Sequence, residues 1–170
     1  MHKVQNFRMI TLIIALIANI TLFSTPVSAL TDMQGNNKQI EKITGQGKWT
    51  IFKVWASDCH VCQQTIHYLT EFKKAYPAAD VYGISVDGQP DKAKAQAFIK
   101  RFNLKFPNLL TDVVEIDDFL YRQAGETLMG TPTMIVYNPQ GKLLAVQPGP
   151  VTAKDLISFI RREEQQNGAE

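Results

Sequence analysis

The spacing of apolar residues along the chain predicts alternating strands and helices. Short runs of apolar and β-branched residues, bounded by turn residues, predict strands. These runs are Trp49–Ala56, Asp80–Val86, Thr133–Tyr137 and Lys142–Gln147. Between and after them, apolar residues recur at the spacing of one helical face. The helices predicted from this spacing are His60–Tyr76, Asp91–Phe102, Glu115–Ala124 and a last one from Thr152 to about Glu164.

Two weaker stretches complete the predicted order of elements. Residues 30–48 are polar, and Gln34–Asn37 predicts a tight turn. We therefore expect a small N-terminal hairpin, followed by a loop at Gly45 and Gly47. Residues 106–110 predict a short extended segment. Because the crossovers between strands are long enough for parallel neighbours, this order predicts an α/β fold, with a mixed central sheet and helices on both faces.

The first residues of the chain have the features of a secretory signal peptide. Lys3 and Arg8 precede a mostly apolar stretch, Met9–Phe23, and small residues precede Ala29. We expect cleavage after Ala29, so residues 1–29 would be removed. An uncleaved membrane anchor is the alternative, although the apolar stretch is shorter than the roughly 20 residues of a membrane-spanning helix. Both interpretations place the folded domain in the periplasm or another extracytoplasmic space.

Loss of that segment changes the charge of the chain. The sequence has 18 basic and 16 acidic residues, and the segment carries two of the basic ones. The remaining chain is therefore close to neutral and gives no reason to expect nucleic-acid binding. Its length suits one domain, which we place at residues 30–164, with residues 165–170 as a disordered tail.

The two cysteines carry the clearest chemical signal. Cys59 and Cys62 closely follow the first long predicted strand, and Ser57 or Asp58 is a candidate cap for the helix that begins there. Unpaired backbone N–H groups at a helix start stabilise an anion. We therefore expect a lowered pKa for Cys59, which would be the attacking sulfur, with Cys62 as the resolving thiol. A strand, a C-x-x-C pair and a helix in this order predict a thioredoxin-like redox site.

A second motif strengthens this interpretation. In Gly130-Thr131-Pro132-Thr133, a proline stands immediately before a predicted strand. A cis X-Pro bond is uncommon in general, at about 5–6% of such bonds. The position of this proline in the order of elements, rather than the dipeptide, favours the cis form here.

These motifs resemble the thioredoxin-like superfamily, and within it the TlpA/ResA-type periplasmic thiol-disulfide oxidoreductases. The resemblance covers about residues 31–162 and is strongest in VWASDCHVC, VYGISVDG and GTPTMIVYNPQGKLLAVQPGP. It implies that Pro132 is cis and packs against the disulfide, and that the backbone of Thr131 pairs with an extended substrate segment. It also implies that residues 88–128 contain the strand–helix insertion of this branch, before the cis-proline strand.

The resemblance also implies an activity and partners. The Cys59–Cys62 pair would exchange with cysteine-containing substrate proteins through a mixed disulfide at Cys59. A membrane electron donor or acceptor of the thiol-redox kind would recharge it. No cofactor beyond the dithiol is expected. The direction of exchange stays open between reductase, oxidase and isomerase, and the resemblance favours a reductase.

Residues close to the pair depart from the family pattern. The cysteines enclose His60 and Val61 rather than a pair containing proline, and Asp58 precedes Cys59. A cationic or hydrogen-bonding His60 would stabilise the Cys59 thiolate and make the disulfide more oxidising. The alternative is that His60 only faces solvent.

Two residues of the central strand are further candidates for tuning. Lys53 stands where thioredoxins hold a buried Asp. Unpaired charges are rarely buried, so we favour an amine that extends to solvent. The alternative is an amine beneath Cys62 that favours its thiolate. Trp55 is a second candidate for tuning or for substrate binding.

Other functions fit these residues less well. A metal site would lack a clear fourth ligand, since the chain has two Cys and three His. A copper carrier that uses both thiolates is the alternative function that stays open. Covalent haem attachment needs C-x-x-C-H, and Gln63 follows Cys62. A peroxidase of the related peroxiredoxin type has Thr three residues before its Cys, where this chain has Ala56.

Overall fold

A computed structural model describes residues 30–167 of the chain. The strands are β1 (Thr31–Asp32), β2 (Thr50–Trp55), β3 (Asp80–Ser85), β4 (Asn108–Leu110), β5 (Thr133–Tyr137) and β6 (Leu143–Pro148). The helices are α1 (Ile40–Ile43), α2 (His60–Thr65), α3 (His67–Ala75), α4 (Lys92–Arg101), α5 (Val113–Ala124) and α6 (Ala153–Asn167). The strands form one six-stranded sheet in the order β1-β4-β3-β2-β5-β6. The predicted α/β fold with a mixed sheet is confirmed.

Strand β2 lies near the middle of the sheet and is buried along its whole length. It pairs in parallel with β3 and antiparallel with β5. Successive side chains alternate between the two faces of the sheet. Ile51 and Trp55 join the core on one face, while Phe52 and Val54 join the core on the other. Burial on both faces explains why this strand is a nearly continuous apolar run in the sequence.

Helices cover both faces of the sheet, as predicted. Helices α3, α4 and α6 pack on one face, with Leu69, Phe98 and Ile160 among their buried residues. Helices α1 and α5 pack on the other, with Ile40 and Leu120. Strand β2, which leads to the two cysteines, is therefore packed by helices on both faces of the sheet.

The helix predicted over His60–Tyr76 is two helices in the structure. Helix α2 ends at Thr65 and α3 begins at His67, with Ile66 between them. The N–H of Leu69 donates to the carbonyl of Ile66 at 3.2 Å, one residue closer than in a continuous helix. The apolar spacing continues through the break, so the sequence pattern gave no sign of it.

The N-terminal hairpin is only partly present. The carboxylate of Asp32 accepts hydrogen bonds from the backbone of Gln34 and Asn36, which makes the predicted turn. One isolated bridge, Thr31 to Asn37, follows it. Strand β1 instead pairs antiparallel with β4, and the chain continues into the short helix α1. Strand β1 is therefore the edge strand of the sheet, where we expected a separate hairpin.

The last helix is longer than predicted. We expected disorder from residue 165, but α6 continues to Asn167. The carboxylate of Glu164 accepts hydrogen bonds from Trp49 Nε1 at 3.0 Å and from the hydroxyl of Tyr76 at 2.7 Å. Burial of the phenol, together with this carboxylate, raises the pKa of Tyr76 to about 12. These contacts hold the end of α6 against the domain.

The predicted signal peptide, residues 1–29, lies outside the described residues. Within residues 30–167, none of the helices combines the length and apolar character that a membrane crossing requires.

Candidate active site

Cys59 and Cys62 form a disulfide at the junction of β2 and α2, with their Cα atoms 5.2 Å apart. Cys59 occupies the N-cap position of α2 in an extended conformation. Its Sγ accepts a hydrogen bond from the backbone N–H of Cys62 at 3.1 Å. The expectation that Ser57 or Asp58 caps this helix was wrong, because the sulfur itself takes the position of the capping oxygen.

The two sulfur-bearing residues differ in exposure. Cys62 has no exposed surface, and it belongs to the apolar core on the α3 side of the sheet. Cys59 is only partly buried. A protein that docks here can therefore reach Cys59 but not Cys62. This asymmetry matches the roles of attacking and resolving sulfur.

A carboxylate that the sequence analysis missed holds the turn before Cys59. Oδ1 of Asp87 accepts hydrogen bonds from the N–H of Ser57 at 3.0 Å and from its hydroxyl at 2.8 Å. Oδ2 of Asp87 accepts from the hydroxyl of Ser85 at 2.6 Å. The side-chain amide of Gln63 donates to the carbonyl of Ser57 at 3.1 Å. The backbone that leads into Cys59 is thus tied both to β3 and to α2.

A signal for this contact was present in the predicted strands. Trp55 pairs with Ser85 where the parallel strands β2 and β3 end. Ser57 and Asp87 each lie two residues beyond that pair. Because parallel strands end at the same edge of a sheet, polar residues at equal distances beyond their ends are brought together.

The proline loop faces the disulfide. The Thr131–Pro132 peptide bond is cis, as the resemblance implied, and Pro132 is buried. The carbonyl oxygen of Thr131 lies 3.4 Å from Sγ of Cys59. The carbonyl of Pro132 accepts a hydrogen bond from the N–H of Gly149 at 2.8 Å, which fixes the loop to the chain beyond β6. Within residues 30–167, the N–H of Thr131 has no hydrogen-bond acceptor.

The dipeptide between the cysteines lies at the surface. His60 is exposed, and its Nε2 lies 3.1 Å from the side-chain amide of Gln64. A neutral imidazole can accept this hydrogen bond, whereas a protonated one cannot. Val61 is 41% exposed. It therefore presents an apolar surface directly beside the partly exposed Cys59.

Lys53 is fully buried, so the expectation that its amine extends to solvent was wrong. Only 1% of the residue is exposed. Its Nζ donates hydrogen bonds to the carbonyl of Thr65 at 2.7 Å and to the hydroxyl of Thr65 at 3.2 Å. Burial lowers the pKa of Lys53 to about 8. The amine thus ends against the helix that carries both cysteines.

Trp55 has no exposed surface either. Its ring stacks on Phe98 of α4, with the ring centroids 4.3 Å apart. A Cβ atom at Gly83 would lie 2.7 Å from Nε1 of Trp55, so glycine is needed there to admit the indole. Trp55 therefore supports the end of β2 from within the core and does not face a docked protein.

The copper-carrier alternative requires ligands beside Cys59 and Cys62. In the described part of the chain, no group of three or more His, Cys, Asp or Glu residues is arranged to hold a metal ion.

A C-x-x-C disulfide between a central strand and a helix, facing a cis-proline immediately before the neighbouring strand, defines a protein of thioredoxin-like fold. Comparison with known families agrees. The AhpC/TSA family model matches residues 23–146, and the chain belongs to this family.

Curated relatives and solved structures are similar to the chain over most of its length. The thiol-disulfide oxidoreductase ResA of Bacillus cereus is 24% identical, with 81% of this chain and 75% of ResA covered. The ResA of Bacillus subtilis is 26% identical, with 74% of this chain and 66% of that ResA covered. The structure of StoA from Bacillus subtilis has a TM-score of 0.57 and 22% identity, with 80% of this chain and 99% of StoA covered. A secreted Mycobacterium tuberculosis disulfide oxidoreductase has a TM-score of 0.59 and 21% identity, with 78% of this chain and 92% of that structure covered.

Proposed function

We propose that the protein is an exported thiol-disulfide oxidoreductase. A thiolate at Cys59 attacks a disulfide of a substrate protein and forms a mixed disulfide with one of its sulfurs. Cys62 then attacks Sγ of Cys59 and releases the substrate as a dithiol, while the pair becomes the disulfide. Two electrons pass from the pair to the substrate. The reverse sequence of steps oxidises a substrate dithiol.

One observation carries this proposal: an accessible sulfur and a fully buried sulfur are joined at the end of the central strand. The N–H of Cys62 donates to Sγ of Cys59 at 3.1 Å, and such a hydrogen bond stabilises a thiolate. The cis-proline loop adds a place for the substrate. Because Thr131 leaves its N–H unpaired beside Cys59, an extended substrate segment could pair with it as an added strand.

Export and partners form part of the same proposal. The pattern of residues 1–29 supports export, and among the similar structures one protein is described as secreted and another as an exposed lipoprotein thioredoxin. The proposed partners are cysteine-containing proteins outside the cytoplasm and a membrane electron donor or acceptor. The dithiol itself carries the electrons, so the exchange needs no further cofactor.

Reduction of insulin disulfides by dithiothreitol tests the activity. We expect the protein to accelerate this reaction and the Cys59→Ser variant to lose the acceleration. The Cys62→Ser variant keeps the attacking sulfur but cannot resolve, so it should accumulate mixed disulfides that a thiol reductant releases. Undiminished activity of Cys59→Ser would overturn the proposal.

The equilibrium with glutathione tests the direction of exchange. A reductase should have a reduction potential near that of thioredoxin, about −270 mV, and an oxidase one near that of DsbA, about −120 mV. We expect a value at the reducing end, because the resemblance to the TlpA/ResA-type oxidoreductases favours a reductase. A value near the oxidising end would reverse the assigned direction.

A further inference from the structure

The central strand carries a lysine whose amine has no counter-ion in the described part of the chain. Lys53 is 1% exposed, and no carboxylate of residues 30–167 forms an ion pair with it. A buried, unpaired cation is costly. The fold retains it beside the active-site helix, which raises the question of what the charge does there.

The amine occupies the end of α2 that lies away from Cys59. Because the helix breaks at Ile66, the N–H of Leu69 does not reach the carbonyl of Thr65. Lys53 Nζ satisfies that carbonyl at 2.7 Å and also bonds the hydroxyl of Thr65 at 3.2 Å. A cation at the last carbonyls of a helix is favourable in itself. This explains how the amine is held in place.

The same arrangement places the amine against Thr65, one helical turn along α2 from the resolving Cys62. Cys62 and Thr65 are the buried residues of α2 and are three positions apart. Residues at this spacing lie on one face of a helix, with Cβ atoms about 5–6 Å apart. The neighbouring strands bring Gly83 and Met134 opposite Lys53, and neither side chain titrates.

Among the described residues, no charged neighbour contributes to the pKa of Lys53. Burial alone lowers the pKa of Lys53 to about 8, without a contribution from a charged neighbour. The amine is therefore mostly protonated at neutral pH. The thiol of Cys62 is the titratable group that α2 turns towards the same buried region.

The resolving step needs a charge in this region. Cys62 attacks as a thiolate, and with no exposed surface it receives no stabilisation from solvent. We propose that Lys53 is a positioning residue for this step: its buried ammonium ion stabilises the thiolate of Cys62 while that sulfur attacks the mixed disulfide at Cys59. This inference rests on the proposed function.

The bonds and electrons of the step balance without another reactant. The Cys62 thiolate forms a bond to Sγ of Cys59, and the bond from Cys59 to the substrate sulfur breaks. The Cys62 thiol gives up its proton to solvent when it forms the thiolate, and the substrate sulfur, which leaves as a thiolate, takes up a proton from solvent. Lys53 keeps its proton throughout. Its positive charge lowers the cost of forming the attacking thiolate, and that stabilisation is no longer needed once the disulfide has formed.

Reaction of the reduced protein with Ellman's reagent separates the two sulfurs. Attack by Cys59 releases a first coloured thiolate and leaves a mixed disulfide, and attack by Cys62 releases a second. We expect Lys53→Met to slow the second release at least threefold at pH 7, with the first release within about twofold of wild type. Threefold is the net effect of a tenfold loss of thiolate, because a more basic thiolate is also a better nucleophile.

Two further variants sharpen the measurement. Lys48→Met removes an exposed lysine close to the start of the same strand, whose partner is Asp80 at 3.6 Å, and should change neither phase. Lys53→Arg keeps the positive charge and should restore the second phase. A folded Lys53→Met variant with an unchanged second phase would overturn the role of Lys53. Failure to observe a first release that depends on Cys59 would instead overturn the proposed function.

A measurement on the wild-type protein covers the case in which Lys53→Met does not fold. If the ammonium ion of Lys53 stabilises the thiolate of Cys62, the thiolate must equally favour protonation of Lys53. The NMR titration of Lys53 should therefore give a higher pKa in the reduced than in the oxidised protein. Equal values in the two states would refute the proposal.

Discussion

The two ends of helix α2 are built from different kinds of contact. At the first end, Sγ of Cys59 accepts the N–H of Cys62, three residues along the chain. At the last end, the carbonyl of Thr65 accepts the amine of Lys53, which comes from a strand twelve residues earlier. The first end is open to solvent and to a partner, and the last end is fully buried. The end that carries Cys59 is therefore formed by residues close together in the sequence, whereas the end at Thr65 needs a contact from β2 that only the folded domain provides.

The largest expected effect concerns the buried end and its dependence on pH. The pKa of Lys53 is about 8 in the folded protein, below the ordinary value of 10.5, so the unfolded chain holds this proton more tightly. The cost of burying the charge is present at neutral pH and is relieved as the pH rises from about 8 to 10.5. Stability should therefore rise over this range by up to about 3 kcal/mol.

Urea unfolding of the oxidised protein at a series of pH values measures this rise. Tyr76, Tyr82 and Tyr137 have raised pKa values, caused chiefly by burial, and lower stability as the unfolded chain begins to lose their protons above about pH 10. The comparison is therefore with Lys53→Met, which retains all three tyrosines. The difference between the two proteins should shift in favour of wild type as the pH increases. Parallel curves would show that the amine is not buried in solution.

The second prediction removes one of the two acceptors of Lys53. The hydroxyl of Thr65 accepts from Lys53 and donates to the carbonyl of Val61 at 2.8 Å. Thr65→Val keeps the shape but loses both hydrogen bonds, and should lower the free energy of unfolding by about 1–2 kcal/mol. Thr70→Val is the matched control, because its hydroxyl makes no hydrogen bond within residues 30–167. Equal effects of the two variants would contradict the contact.

The difference between the two ends also explains what the sequence could and could not predict. The alternation of apolar runs and the C-x-x-C spacing are local signals, and they were sufficient for the central strand, the fold class and the position of the cysteine pair after that strand. The burial of Lys53 was not predicted, because its acceptor exists only once the helix breaks at Ile66 and packs on β2. The general preference of lysine for solvent gave the wrong answer for Lys53, because the carbonyl of Thr65 lies within hydrogen-bond distance of its amine.

The third prediction tests the open end through the carboxylate that fixes the turn. Asp87→Asn keeps an oxygen for Ser57 but loses the charge that strengthens three hydrogen bonds. We expect a loss of about 1 kcal/mol in the free energy of unfolding and slower attack by Cys59, because the turn before it loosens. Asp58→Asn removes a charge at the same turn. An equally large effect from Asp58→Asn would assign the result to charge rather than to the fixed turn.

The smallest effect is expected at His60, although it stands directly between the cysteines. Its ring is exposed and is engaged with Gln64, and water screens a surface charge far more than a buried one. His60→Ala should therefore change the equilibrium constant with glutathione less than threefold at every pH between about 5 and 8. Measurement of that constant across this pH range in wild type, His60→Ala and Lys53→Met distinguishes the effect of the exposed imidazole from the effect of the buried amine. An inflection that disappears in His60→Ala would mean that the exposed imidazole, rather than the buried amine, adjusts the redox pair.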